Sequence, residues 1–282
     1  VAVYQRFPPA DGLCGVVEHF WMIEAPRSAE VKREILIPNG RPTLVVALGE
    51  PGLRHDPLTG STSPNSAVLF GITTRPYVLS QSGASSYVGA ELKPWGIAAL
   101  VPSLVPSDRL VDRFLPLLDW VGPGTTYQLA RDLSRLEFGP ARADRLGSFL
   151  AARQGPIRQL DVLGAAVGAI EEARGSLPVR EVVERAGLSY SSLYRLFVGG
   201  TGIGPKQFSE IIRYFHFVGG LLDGRPDAAA TLAALHGYYD QAHAARDFKR
   251  YTGVSASSFQ AVQHGIAALM HAVPERSVQD ER

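Results

Sequence analysis

The chain has 282 residues, 45% hydrophobic and 20% charged, which is enough length for two domains and enough apolar content for a buried core, and excludes a disordered or fibrous protein. Its 28 Lys and Arg against 27 Asp and Glu give a net charge of +1, which neither demands nor forbids a polyanionic partner. The single cysteine, Cys14, excludes an internal disulfide and a Cys-based zinc site and points to a reduced, cytoplasmic protein. No basic-then-apolar leader is visible, and no apolar run approaches the ~18 residues of a membrane span.

Along the first hundred residues the signals are those of strands. "LIPNGRPTLVVALGE" holds two apolar runs around Pro38-Asn39-Gly40, and Asn-Gly between apolar runs predicts a hairpin there. Further short runs, "SAVLFGI", "YVLSQS" and "SYVGAELKPWGIAAL", are separated by Gly, Pro, Ser and Thr. This spacing predicts a small antiparallel barrel or sandwich over residues 1–105. From Pro106 the apolar period changes to that of helices. "SDRLVDRFLPLLDWVG" and "ARADRLGSFLAARQ" repeat at i, i+3, i+4 and i+7, with Ser107 or Asp108 as the expected cap of the first. Residues 106–158 therefore read as a helical connector and a candidate dimer seam. Residues 159–265 read as an all-α domain, and 266–282 as a polar tail that frays.

The C-terminal third contains a repeat. Aligning Ser189 with Asp240 pairs Arg195 with Arg246, Phe197 with Phe248, Thr201 with Thr252, Gly202 with Gly253 and Phe208 with Phe259, all at one offset of 51 residues. One supersecondary unit is used twice. In the first copy, Pro178 suits a helix start, Gly187 a left-handed helix end and Ser189 the N-cap of the next helix. Two short helices about a glycine turn make a helix-turn-helix. The units span about 178–197 and 228–250, with Asp240 as the cap of the second. Within each second helix the i, i+4 rule turns Leu193 and Phe197, and Ala244 and Phe248, inward. It leaves Tyr190, Ser191, Tyr194 and Arg195 outward in one copy, and Gln241, Ala242, Ala245 and Arg246 in the other. Gln and Arg match adenine and guanine edges in the major groove, and alanine can meet a thymine methyl.

On "AGLSYSSLYRLF…TGIGPKQF…IIRY" and "GYYDQAHAARDFKRYTGVS" the C-terminal segment resembles the AraC-type transcriptional regulators, whose DNA-binding domain joins two helix-turn-helix units through a linker helix. The resemblance implies that Ser191, Tyr194 and Arg195 face bases from the first unit, and Gln241, Ala242, Ala245 and Arg246 from the second. Tyr190, His243 and Lys249 would lie along the phosphate backbone, and "IIRYFHFVGGLL" would be the linker. Double-stranded DNA is the implied partner, with a homodimer and, for an activator, RNA polymerase. There are departures. The position of Ala244 is usually a large apolar residue. After Phe197 the family usually has basic residues, where this chain reads "VGGTG". Residues 176–265 hold nine Lys and Arg against seven Asp and Glu, a modest surplus for a DNA binder. "VEHFWMIEAP", "GITTRPYVL" and "GAELKPWGIAALV" resemble a sensor-type, cupin-like domain placed ahead of this DNA-binding domain in many bacterial regulators. Its ligand is undefined.

The expected fold is thus α+β: a β-rich barrel-like domain with following helices, then the helical domain. Trp21, Trp95 and Tyr87 are candidates for an effector pocket or for plain core. Glu18, Arg41 and Arg75 are candidates for ligand contacts or for local ion pairs. Only His19 and His55 precede residue 200, without close His-x-His spacing, so neither a metal nor a cofactor is expected. Two other classes stay open. One is an enzyme with a helical tail, for which no GxSxG, P-loop, dinucleotide or CxxC motif is present. The other is an effector-binding or interaction protein whose degenerate helical domain no longer reads DNA.

Overall fold

A computed structural model describes residues 2–56, 59–101, 106–222 and 241–252. The N-terminal part is built on an eight-stranded antiparallel sheet: β1 (Val3–Phe7), β2 (Val17–Leu36), β3 (Thr43–Ala47), β4 (Leu53–His55), β5 (Thr62–Pro64), β6 (Ala67–Phe70), β7 (Tyr77–Leu92) and β8 (Phe114–Pro116). The order is β1-β2-β7-β3-β6-β8, and β4 pairs with both β5 and the first half of β7. The long pair β2 and β7 is the frame on which the others hang. Its register shifts between Ala25 and Ser28, beside Pro26, which has no N–H to give to the ladder.

Strand alternation sorts the sheet into two faces. Phe20, Met22, Leu44, Val46, Leu69, Val88, Ala90 and Leu92 form one core with α1 (Gly96–Leu100), α2 (Leu117–Arg135) and α3 (Pro140–Ala151). The other face carries Trp21, Ile23, Val45, Val68, Phe70 and Tyr87. On the same strands this face also places His19 and Glu91, which sit opposite one another. The helical domain follows as α4 (Leu160–Glu172), α5 (Val179–Ala186), α6 (Tyr190–Thr201), α7 (Pro205–Leu222) and α8 (Gln241–Thr252).

Two local expectations need correction. Asn39-Gly40 does not close a hairpin, because β2 and β3 do not pair. β2 lies between β1 and β7, and β3 between β7 and β6. Asn39 instead turns the chain across the sheet, its Oδ1 accepting the Arg41 N–H at 3.0 Å. Nor does a helix start at Ser107 or Asp108. Ser107–Leu110 is a short 3-10 turn and Phe114–Pro116 pairs with β6, so α2 begins only at Leu117. Hydrogen bonding to an open sheet edge outweighs helical periodicity here. Asp240 and the first helix of the second unit lie outside the described residues, as does the C-terminal tail.

The sheet and the helical domain share a core. Ile35, Ile37 and Ile72 from the sheet pack with Leu163, Ile170, Phe197, Phe208, Ile211 and Ile212. Gly40 sits at the seam with φ +75°, and a Cβ there would come within 3.1 Å of both Phe208 and Ile212. Gly40→Ala combines a positive-φ penalty with overpacking. It should lower the stability of the whole chain by about 1–3 kcal/mol in a denaturant titration. An unchanged midpoint would mean that the seam is looser than described.

Candidate nucleic-acid interface and sensor cavity

The first unit forms as its sequence implies. Gly187 ends α5 in the left-handed region, φ +63°. The Ser189 side chain caps α6 by accepting the Ser192 N–H at 3.2 Å. Leu193 and Phe197 are fully buried, which fixes the rotation of α6 and leaves Tyr190, Ser191, Tyr194 and Arg195 exposed on the opposite side. The Tyr190 and Tyr194 rings stack at 6.3 Å, and Tyr194 lies over Gly204. These two half-exposed aromatics stiffen the outward face.

In the second unit Ala244 and Phe248 are buried, as are Tyr251 and Tyr214, whose ring centroids are 4.6 Å apart. Ala244 and both tyrosines belong to one buried cluster, in which Tyr214 also packs edge-on against Phe248 at 6.1 Å. Ala242, Ala245, Arg246 and Lys249 are exposed on the far side. Gln241 and His243 belong to α8, but their side chains lie outside the described residues. Sequence reasoning passed over Arg250, which is exposed and reaches Glu210 of α7 at 3.8 Å. That ion pair ties the second outward helix to the linker.

The glycine-rich end of α6 packs against α4 of its own domain and against the Ser107–Leu110 turn that follows the sheet. A Cβ on Gly200 would fall 2.3 Å from Leu163 Cδ2, and one on Gly202 would fall 2.6 Å from the Ser107 carbonyl oxygen. Ser107 Oγ donates to the Gly199 carbonyl at 3.2 Å. Close approach, rather than charge, is what this segment provides.

On the inner face of the sheet the sequence candidates fall into separate places. Trp21 and Arg41 line a small cavity with Tyr4, Arg6, His19 and Glu91. Arg75 lines a second, larger cavity of about 330 Å³ with Arg54, Phe70, Tyr77 and Phe114. Trp95 lines neither. It donates from Nε1 to the Gly15 carbonyl at 2.7 Å and packs near Gly164. Tyr87 donates from its hydroxyl to Gln81 Oε1 at 2.7 Å and accepts the Gly52 N–H at 2.6 Å. Three ionisable residues that sequence reading missed as ligand contacts, His19, Arg54 and Glu91, occupy inward strand positions. The available signal was a charged or imidazole side chain interrupting apolar alternation, as in "VGAEL".

Arg41 bridges the two domains. Its Nη1 donates to Glu171 Oε1 on α4 at 2.5 Å, and its Nε lies 3.6 Å from Glu18, which also pairs with Lys93 at 2.8 Å. Burial alone would lower the Arg41 pKa, but Glu171, then Glu18 and Glu91, raise it overall. Glu91 accepts from Asn39 Nδ2 at 2.5 Å. Burial pushes its carboxyl up to about 7 despite Arg41 and Asn39. Burial and then the charge of Arg6 push His19 down to about 4. Among the described residues no group of three or more His, Cys, Asp and Glu could hold a metal, and no helix is long and apolar enough to cross a membrane.

Residues 5–116 match a domain of unknown function (DUF6597), and residues 182–261 match a helix-turn-helix domain. No curated protein matches the chain. Among solved structures, ToxT from Vibrio cholerae O395 is similar at 9% identity and a TM-score of 0.48, covering 93% of this chain and 99% of that one. ToxT of Vibrio cholerae strain SCE256 with an unsaturated fatty acid bound is similar at 9% identity and a TM-score of 0.45, covering 86% and 99%. The C-terminal domain of AraT, a response regulator from Geobacillus stearothermophilus, is similar at 21% identity and a TM-score of 0.35, covering 39% and 89%.

The facing pair His19 and Glu91 makes a pH prediction with opposed signs. Glu91 is raised from 4.5, so its contribution to stability is fully present below pH 4.5 and is lost as pH rises to about 7. His19 is depressed from 6.5, so its contribution is present above pH 6.5 and is lost as pH falls to about 4. In wild type the two slopes largely cancel between these limits. Glu91→Gln should leave the His19 slope alone, with stability climbing by up to roughly 3 kcal/mol from pH 4 to 6.5. His19→Gln should show the reverse trend. Urea titrations across that range read both, and parallel profiles for wild type and the two variants would refute the assignment.

Proposed function

We propose that this chain is a DNA-binding regulator of the AraC type that reads DNA with α6 and α8, one in each of two successive major grooves about 34 Å apart on one face of the duplex. The observation that carries this reading is the equivalence of the two helices. Each is rotated by a buried aromatic, Phe197 or Phe248, so that Arg195 and Arg246 emerge exposed at matching positions 51 residues apart. Ser191, Tyr194 and Arg195 would read bases from α6, and Gln241, Ala242, Ala245 and Arg246 from α8. Tyr190, His243 and Lys249 would lie along the phosphates. Of these the arginines carry most specificity, because a guanidinium can donate two parallel hydrogen bonds to guanine. The alanines limit α8 to fewer polar contacts. The linker α7 keeps the two helices in register, helped by the pair between Arg250 and Glu210.

The N-terminal domain would sense a small-molecule effector within its sheet and pass the result to α4 through Arg41 and Glu171. Occupancy would shift the balance between poses of the reading helices. A homodimer through α2 and α3, where Leu118 and Tyr127 are exposed, would supply the phosphate contacts that one chain with a modest positive surplus lacks. RNA polymerase is a further partner if the chain activates. The inner face of the sheet supports a ligand-holding role better than a catalytic one. Its ionisable groups are tied into ion pairs, as Arg41 is with Glu171 and Glu18, or stripped of solvent, as His19 and Glu91 are.

DNA flanking the protein's own gene provides the test. Affinity should fall steeply across a salt series. Arg246→Ala should cost about 1–3 kcal/mol and relax sequence preference, with no change in thermal stability because Arg246 is exposed. Binding that ignores salt, or an Arg246→Ala protein that discriminates like wild type, would remove the reading.

A further inference from the structure

We propose that the cavity between β4, β6 and β8 binds a small carboxylic acid with a flat apolar body, anchored as its monoanion by Arg54. The proposal rests on the sensor reading of the N-terminal domain and names the ligand class that domain takes.

Arg54 is 6% exposed. Its guanidinium lies 3.8 Å from the ring centroid of Phe114 and 4.7 Å from that of Phe70. Nη2 donates to Ser63 Oγ at 2.8 Å, while Nη1 is buried without a partner among the described residues. No carboxylate forms an ion pair with Arg54 among those residues. Burial pulls its pKa down, and Tyr77 offsets only part of that. Arginine nevertheless stays protonated in proteins. A buried, unpaired cation is costly to keep, and an arriving anion removes the cost.

The acids of the same cavity are already engaged. Asp112 accepts the Thr74 N–H at 2.7 Å and its hydroxyl at 2.6 Å, and Arg75 stands 3.7 Å from Asp112 and 3.5 Å from Asp56. Arg54 is therefore the buried cation left to face the void, and the exposed Arg113 is the other guanidinium of the wall without a carboxylate partner among the described residues. Three guanidinium groups against the carboxylates of Asp56 and Asp112 leave the wall with a net charge of about +1, which suits a single negative charge and disfavours a phosphate dianion. The rest of the wall fits a flat body. Phe70 and Tyr77 stack at 5.5 Å with 10° between their planes, and Phe114 is tilted against Phe70 at 6.2 Å. The volume of about 330 Å³ is at the small end of ligand pockets, which suits one or two rings. Ser61 and Thr73 add hydroxyls for a ring substituent. Phe70, Thr73 and Tyr77 also line the neighbouring cavity that holds Arg41 and Glu91. A ligand on Arg54 thus shares walls with the residues that reach Glu171.

Calorimetric titration of the full chain tests this with phenylacetate, its neutral counterpart phenylacetamide, and inorganic phosphate. Phenylacetate should bind saturably, and at least roughly tenfold more tightly than the amide, as expected for a hydrogen bond to a charged group. Arg54→Met, which keeps apolar volume between the two rings, should erase that preference while circular dichroism reports an unchanged fold. Ser61→Trp, which leaves Arg54 in place and fills the cavity, should abolish binding of both compounds. Equal affinity for acid and amide overturns the proposal, as does phosphate binding as tightly as phenylacetate. So does an Arg54→Met protein that still prefers the acid. The absence of saturable binding by phenylacetate, benzoate and 4-hydroxybenzoate alike overturns it too. DNA affinity of the same preparations is measured separately. Retained operator binding beside failed acid binding sinks this site alone, whereas lost salt-dependent DNA binding sinks the regulator reading.

Discussion

A single guanidinium holds the junction on which the rest of the molecule depends. Arg41 is drawn out of water between the sheet and α4, and it stays charged because Glu171 and Glu18 meet it there. Removing Glu171, the nearer partner, would leave only Glu18 at 3.6 Å to compensate a mostly buried charge, which costs more than the pair stabilises. The apolar seam around it, Ile35, Ile37 and Ile72 against Phe208 and Ile212, gives adhesion without direction. Arg41 adds the direction. It accepts one relative placement of the domains and rejects others.

Around that junction the inner face of the sheet is a chain of electrostatic accommodations. Between about pH 4.5 and 6.5, where both would be charged in water, His19 gives up its proton and Glu91 holds its own, so two adjacent groups become neutral. Arg41 keeps its charge nearby. Such a lining responds to an arriving charge more strongly than an apolar pocket would, because its groups are already partly desolvated.

How much of this was legible beforehand depended on whether the cause was local. Helix caps, the glycine turn at Gly187 and the inward pair Leu193 and Phe197 follow from neighbours in sequence, and the repeat doubled the signal. The Asn39-Gly40 hairpin misled because a turn dipeptide specifies a reversal but not which strands pair after it. Strand β8 was hidden inside an apolar pattern of helical period, and only its partner β6 decides it. The ionisable lining was scattered over β2, β4 and β7. No spacing in the sequence announces that His19 will face Glu91 or that Arg54 will rest between Phe70 and Phe114. Those depend on register, which the whole sheet sets. Arg41 and Trp21 were legible as candidates by residue type, but their common cavity was not.

The glycines that close α6 have a meaning beyond packing. Where basic side chains would have gripped the phosphates, this chain brings its backbone against Leu163 and Ser107 instead. Grip of that kind is diffuse and indifferent to angle, whereas backbone contact is short-ranged and tolerates one angle. The outward helix α6 is therefore carried like a key soldered to its handle. Its orientation is set by α4 on one side and by the turn after the sheet on the other, so a fragment that kept α6 without Ser107 would lose one of the two surfaces that fix its angle.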